Sequence, residues 1–380
     1  MAIKPEQQLQ QIETWSTKYV GFVKVTMTDG ATGWGQVSTY HSDITCNVLH
    51  RQVAPWIIGR DTSDLDDLLD RVTEIEHKFP GSYLRRAMAG VDTAIWDMRG
   101  KRAGKSVCEL LGGQNGPLRV YASSMRRDIK PDEEAQRILS LRDKFGFDAF
   151  KFRVGAECGR NQDEWPGRTE AIVPAIREAV GDEMALLVDA NSCYEPARAI
   201  EVGQLLQEQG ISHFEEPCPY WKPKQTKEVR DALSIDITGG EQDCDLGWWE
   251  YVLDLGAVDI AQPDICYIGG ISRALRVAKM AAAKKLPVTP HCANLSLVTL
   301  FTAHYLKALP NAGKYLEFSI EDETYYPWQT GLFVNDPYQI EDGKITVTDV
   351  PGWGVEVNPD WLLNASYQVS DGSAAAEYAG

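Results

Sequence analysis

The chain has no apolar run approaching the ~18 residues of a membrane-spanning helix, and residues 1–10 are polar, without the charged start and apolar core of a signal peptide. Basic residues are in short supply: 38 Lys and Arg stand against 55 Asp and Glu, a formal net charge of −17. No basic field exists to hold phosphate, which argues against nucleic acid or an anionic membrane as a partner. An acidic substrate must therefore be drawn in by local cations. The eight cysteines include no Cys-x-x-Cys pair, which suits a reduced, cytoplasmic protein better than a disulfide framework. Cys193, Cys218, Cys244, Cys266 and Cys292 follow proposed strand ends, but their irregular spacing reads as small buried hydrophobes rather than a thiolate metal site. No Gly-x-Gly-x-x-Gly follows any strand-like run, so an open doubly wound sheet is the weaker fold reading.

The hydrophobic share of 43% and charged share of 24% are those of an ordinary globular protein. Residues 12–15 and 19–26 read as strands of an antiparallel meander, with Thr28-Asp29-Gly30 as the hairpin turn. Residues 38–43 read as a mobile loop carrying Tyr40 and His41. Residues 56–113 read as mainly helical, broken at Phe79-Pro80-Gly81-Ser82. After Pro117, short β-rich runs alternate with helix-length segments at 119–122, 149–153, 185–189, 213–215, 236–241, 258–262, 286–290 and 314–318. Eight such units close as a (β/α)8 barrel of the α/β class. The expected organisation is an α+β capping domain over 1–117, the barrel over 118–335, and a segment over 336–380 that returns to the capping domain. The residues from Ser370 onward read as a loose tail.

Three acids organise the barrel region. Asp189, Glu215 and Glu241 each close a short apolar run and stand 26 residues apart, about the length of a strand, a crossover helix and two turns. Singly they read as a helix cap, a strand end before a breaker and a solvated loop charge. Together they fall at equivalent ends of successive strands, the edge where such barrels keep their chemistry. Three converging carboxylates would repel unless a hard divalent cation sat between them, and oxygen-only ligation favours Mg2+. Lys151, Arg153, Asp264, His291 and Glu317 add ionisable groups to the same edge.

At these residues the chain resembles the mandelate racemase group of the enolase superfamily. The motifs are Ala89-Gly90-Val91-Asp92-Thr93-Ala94-Ile95-Trp96-Asp97, Asp189-x-Asn191, Glu215-Glu216-Pro217, Gly240-Glu241, Gln262-Pro263-Asp264 and Thr289-Pro290-His291. The resemblance implies Mg2+ on Asp189, Glu215 and Glu241, and a substrate carboxylate chelated by the ion. It further implies His291 as acid/base with Asp264 behind it, Glu317 as a protonated hydrogen-bond donor, Asn191 as a substrate contact, and a homo-oligomer. Tyr40, His41 and Tyr83 are candidates for hydroxyl recognition.

The chain departs from the racemase pattern at Lys151-Phe152-Arg153, where racemases of the group resemble Lys-x-Lys. Arg holds its proton to a pKa above ~12 and makes a poor base, so a two-base racemase is disfavoured. A single acid/base at His291, with Lys151 and Arg153 gripping an anion, suits β-elimination: dehydration of a small acid sugar to a 2-keto-3-deoxy acid. The alternatives are a racemase or epimerase, and a non-catalytic sugar-acid binding protein.

Overall fold

The computed structural model describes residues 3–372. Three antiparallel strands, β1 (Leu9–Ser16), β2 (Gly21–Met27) and β3 (Thr32–Gln36), form the meander expected around Thr28-Asp29-Gly30. The long helix Ser82–Ala103 lies on this sheet at backbone contact. A Cβ on Gly35 would stand 2.4 Å from the Gly90 carbonyl oxygen, and one on Gly33 would stand 2.1 Å from that of Ala94. Gly35→Ala is therefore expected to lower stability by about 1–3 kcal/mol through overpacking, read as an earlier urea midpoint.

Barrel strands β4 (Gly116–Ser123), β5 (Ala149–Arg153), β6 (Ala185–Asp189), β7 (His213–Glu215), β8 (Asp236–Gly239), β9 (Ile260–Ala261) and β10 (Leu316–Ser319) form one curled parallel sheet, in ring order β10-β4-β5-β6-β7-β8-β9. The eighth strand expected over 286–290 is reduced to a bridge at Val288. There Ala261 N donates to Pro287 O and Val288 N to Asn311 O. Pro287 and Pro290 have no N–H to extend the ladder, so the ring continues past β9 only through the two bridges of Val288, to Ala261 and to Ala312.

Two expectations for the C-terminal segment need correction. Strand β11 (Lys344–Val347) does not rejoin the first sheet. It pairs antiparallel with the start of β4, Lys344 opposite Arg119, at the end of the barrel away from the strand termini. Only β12 (Ser366–Asp371) returns, beside β1, which also takes Ser370 and Asp371 out of the expected loose tail. Residues 373–380 of that tail lie outside the described residues.

The motif at 89–97 is the junction between sheet and barrel. Asp92 accepts from Ile271 N (2.6 Å) at the start of the barrel helix Ile271–Ala283, a charge-favoured place for a carboxylate. Asp97 accepts from Trp34 N and from Trp353 N, while the Trp353 indole donates to Thr93 O and packs on Phe301 with ring centroids 4.5 Å apart. The Trp353 side chain is 2% exposed, and Trp353→Ala is expected to cost about 3–5 kcal/mol as a large cavity opens. Thermal unfolding would show the loss.

Candidate active site

The parallel register aligns the ionisable strand ends. Arg153 lies opposite Asp189, and Asp189 opposite Glu215. Residues two apart on a strand share a face, which sets Lys151 directly beneath Arg153. Lys151 Nζ lies 2.8 Å from both Glu215 oxygens, 2.7 Å from Glu317 and 3.8 Å from Asp189. Burial pulls the Lys151 pKa down, but Glu215 and Glu317 outweigh it and hold the group above its usual value. Burial likewise opposes ionisation of Glu317, and Lys151 and His291 overcome it, leaving its pKa below the usual carboxylate value. Glu317 accepts from Ser123 Oγ and Cys292 N. The protonated donor expected at Glu317 is thus an ionised acceptor, because the Lys151 ammonium stands against it.

Arg153 pairs with Asp189, donates to Ser124 O (2.9 Å) and reaches Asn191 Oδ1 at 3.0 Å. Burial disfavours its charge, yet Glu215, Glu317 and Glu241 raise its pKa. His291 Nδ1 lies 2.8 Å from Asp264 Oδ2. Asp264 is itself oriented by Cys266 N and Tyr267 N, both donating to its Oδ1. Because a carboxylate only accepts, Nδ1 carries a proton and Nε2 faces the cavity, 3.4 Å from Glu241. Burial lowers the His291 pKa, but Glu241 and Asp264 raise it to about 9.

A folded-state pKa raised above the unfolded value of about 6.5 stabilises the fold. The contribution is full below pH 6.5 and is lost as pH rises through about 9. In metal-free protein the His291 imidazole signals are expected to titrate with a midpoint near 9, as followed by NMR. A midpoint at or below 6.5 would contradict the ion pairing.

A cavity of about 460 Å³ opens above these groups, lined in part by Arg153, Asn191, Glu241, His291 and Tyr40. Lys151, Asp189, Glu215, Asp264 and Glu317 are buried and absent from its wall. His41 and Tyr83 do not line it either, against expectation. The His41 carbonyl receives Thr45 N at the start of helix Ser42–Val48, leaving the residue exposed, and Tyr83 is 39% exposed in the first turn of the long helix. The 38–43 segment is tied down by Ser42 Oγ donating to Ser38 O and Tyr40 N to Tyr19 O.

Sequence reasoning missed Arg127, Tyr267, Tyr325 and Tyr326, all on the cavity wall. The Arg126-Arg127 and Tyr325-Tyr326 doublets beyond strands β4 and β10 were the available signals. Cys266 and Cys292 thiols are pushed well up by burial, as expected of protonated apolar fillers rather than metal ligands.

The expected meeting of three carboxylates is not present. Asp189 turns to Arg153, Glu215 to Lys151 and Glu241 to His291. Among the described residues no three Asp, Glu, His or Cys side chains are grouped to hold a metal. The donor chemistry still suits a hard cation, with buried oxygens only and Asp189 and Glu215 on facing positions. Beside them, Gln262 donates to Glu215 while its own Oε1 is buried without a hydrogen-bond partner.

Two family models match, the mandelate racemase/muconate lactonizing enzyme N-terminal domain over residues 3–112 and the enolase C-terminal domain-like family over 133–361. The chain belongs to the mandelate racemase group of the enolase superfamily. A solved Roseobacter denitrificans structure, provisionally called a racemase, is 68% identical with a TM-score of 0.95, covering 96% of this chain and all of that one. A family member from Paracoccus denitrificans, solved with magnesium, is 28% identical with a TM-score of 0.87 and 95% and 98% coverage. Curated relatives include the D-galactarolactone cycloisomerase of Agrobacterium fabrum, 29% identical over 90% of this chain and 89% of the relative. The arabinonate dehydratase of Saccharolobus solfataricus is 28% identical, with 88% and 87% coverage. No helix among the described residues is long and apolar enough to cross a membrane.

Proposed function

We propose that the protein is a magnesium-dependent dehydratase of sugar acids. The observation that carries this reading is the imidazole on the cavity wall, His291, oriented by Asp264. His291 Nε2 takes the proton from C2 of the bound acid, and the resulting imidazolium then protonates the departing C3 hydroxyl. Loss of water leaves an enol that becomes a 2-keto-3-deoxy acid. Arg153 presents its charge to the carboxylate as negative charge builds there. Asp189, Glu215 and Glu241 would hold the Mg2+, which when bound supplies Lewis-acid neutralisation of the substrate carboxylate. Glu241 is the largest of the groups that hold His291 protonated, and a cation on Glu241 would weaken that pull and favour the imidazole as a base near neutral pH.

The relatives named as an arabinonate dehydratase and a D-galactarolactone cycloisomerase support this substrate class. The name of the Roseobacter relative suggests a racemase, but racemisation needs a second base facing His291. Lys151 lies beneath the cavity clasped by two carboxylates, and Arg153 keeps its proton. Incubation of a sugar-acid panel with protein and Mg2+ is expected to yield 2-keto acid, detected as its semicarbazone, and chelation should abolish the signal. Racemised substrate without keto acid would overturn the proposal.

A further inference from the structure

Arg127 sits in the loop after β4, half-buried on the cavity wall. Its guanidinium donates to Gly155 O (3.1 Å) and to Asn191 Oδ1 (2.6 Å). Arg153 donates to that same amide oxygen at 3.0 Å. Two like charges therefore converge on one neutral acceptor. Arg153 has Asp189 as a counter-ion, whereas no carboxylate among the described residues is within ion-pair distance of Arg127. Glu157 lines the same cavity from an exposed loop position without pairing to it. In a chain with 55 acids and only 38 Lys and Arg, this arginine has neutral hydrogen-bond partners beside another cation, with Glu157 and Glu164 acting on it only at longer range. Burial and the Arg153 charge lower its pKa to about 10, so it remains protonated at neutral pH.

Ring order fixes where this charge stands. β4 and β8 are four positions apart around the eight-membered ring closed through Val288, so the loop bearing Arg127 lies across the barrel mouth from the turn bearing Glu241. A substrate whose reacting end lay beside Glu241 would have its far end on the side of Arg127.

We infer that Arg127 takes the second carboxylate of a sugar diacid, and that the cavity selects diacids over the corresponding monoacids. This rests on the sugar-acid reading above and names its substrate class. The planar guanidinium still has N–H groups free for two parallel bonds to a carboxylate. A terminal hydroxymethyl group would leave Arg127 without a paired anion.

The test is calorimetric titration of the Mg2+-loaded His291→Asn protein, which should bind without turnover, with galactarate and galactonate, glucarate and gluconate, and mannarate and mannonate. For the stereoisomer that binds, the diacid is expected to bind roughly ten- to a hundredfold more tightly than its monoacid, as for a charge-assisted hydrogen bond. Adding Arg127→Met should bring that ratio close to one, and Arg127→Lys should retain part of it. Equal affinities before the second substitution, or a ratio that survives Arg127→Met, would overturn the inference. Monoacid bound as tightly as its diacid and dehydrated by the unmutated protein would overturn this inference while leaving the sugar-acid reading standing. Failure of every sugar acid to bind would overturn the sugar-acid reading with it.

Discussion

His291→Asn is expected to lower kcat by roughly a hundred- to ten-thousandfold, the usual worth of a positioned general acid/base. An Asn at this position can still donate to Asp264, which is also held by Cys266 N and Tyr267 N. In Mg2+, where Glu241 would not depend on His291 for a counter-ion, the fold and the affinity for substrate should therefore change little, and the loss should fall on kcat rather than KM. Steady-state kinetics beside a circular dichroism melt would separate the two. Retention of more than a tenth of the activity would remove His291 from the reaction.

A large expected effect on stability is at Lys151. Its ammonium is enclosed by Glu215 and Glu317, and all three side chains are at most 1% exposed. In Lys151→Met those two carboxylates would lie buried in the barrel without their shared cation. Removing one partner from a buried ionic cluster costs about 3–5 kcal/mol, read by urea unfolding in chelator. Adding Glu317→Gln should recover part of that loss, because it removes one uncompensated charge. A Lys151→Met protein of unchanged stability but no activity would instead make the lysine a participant in the chemistry.

Much of this arrangement was legible in the chain, and the reason is period. Strand ends recur at regular intervals, so Asp189, Glu215 and His291 could be assigned to one edge before any contact was known. The partner of each charge could not be read that way. The sequence suggests three acids around one cation, whereas packing gives each acid its own basic partner. Glu317 was misjudged for the same reason, since its ionisation follows from Lys151 on a strand far away in sequence. Loops gave least: Arg127 and Tyr326 reach the cavity from segments without periodicity. Lys344–Val347 reads as an ordinary hairpin strand, and nothing in its pattern tells which sheet edge it joins.

The most direct test of the elimination chemistry is proton NMR of the Mg2+-supplemented reaction in D2O with a sugar acid that the protein turns over. Dehydration by His291 predicts loss of the C2 proton signal and growth of a 3-deoxy keto acid carrying one deuteron at C3. Recovery of intact sugar acid deuterated at C2 with inverted configuration, and no keto acid, would contradict it.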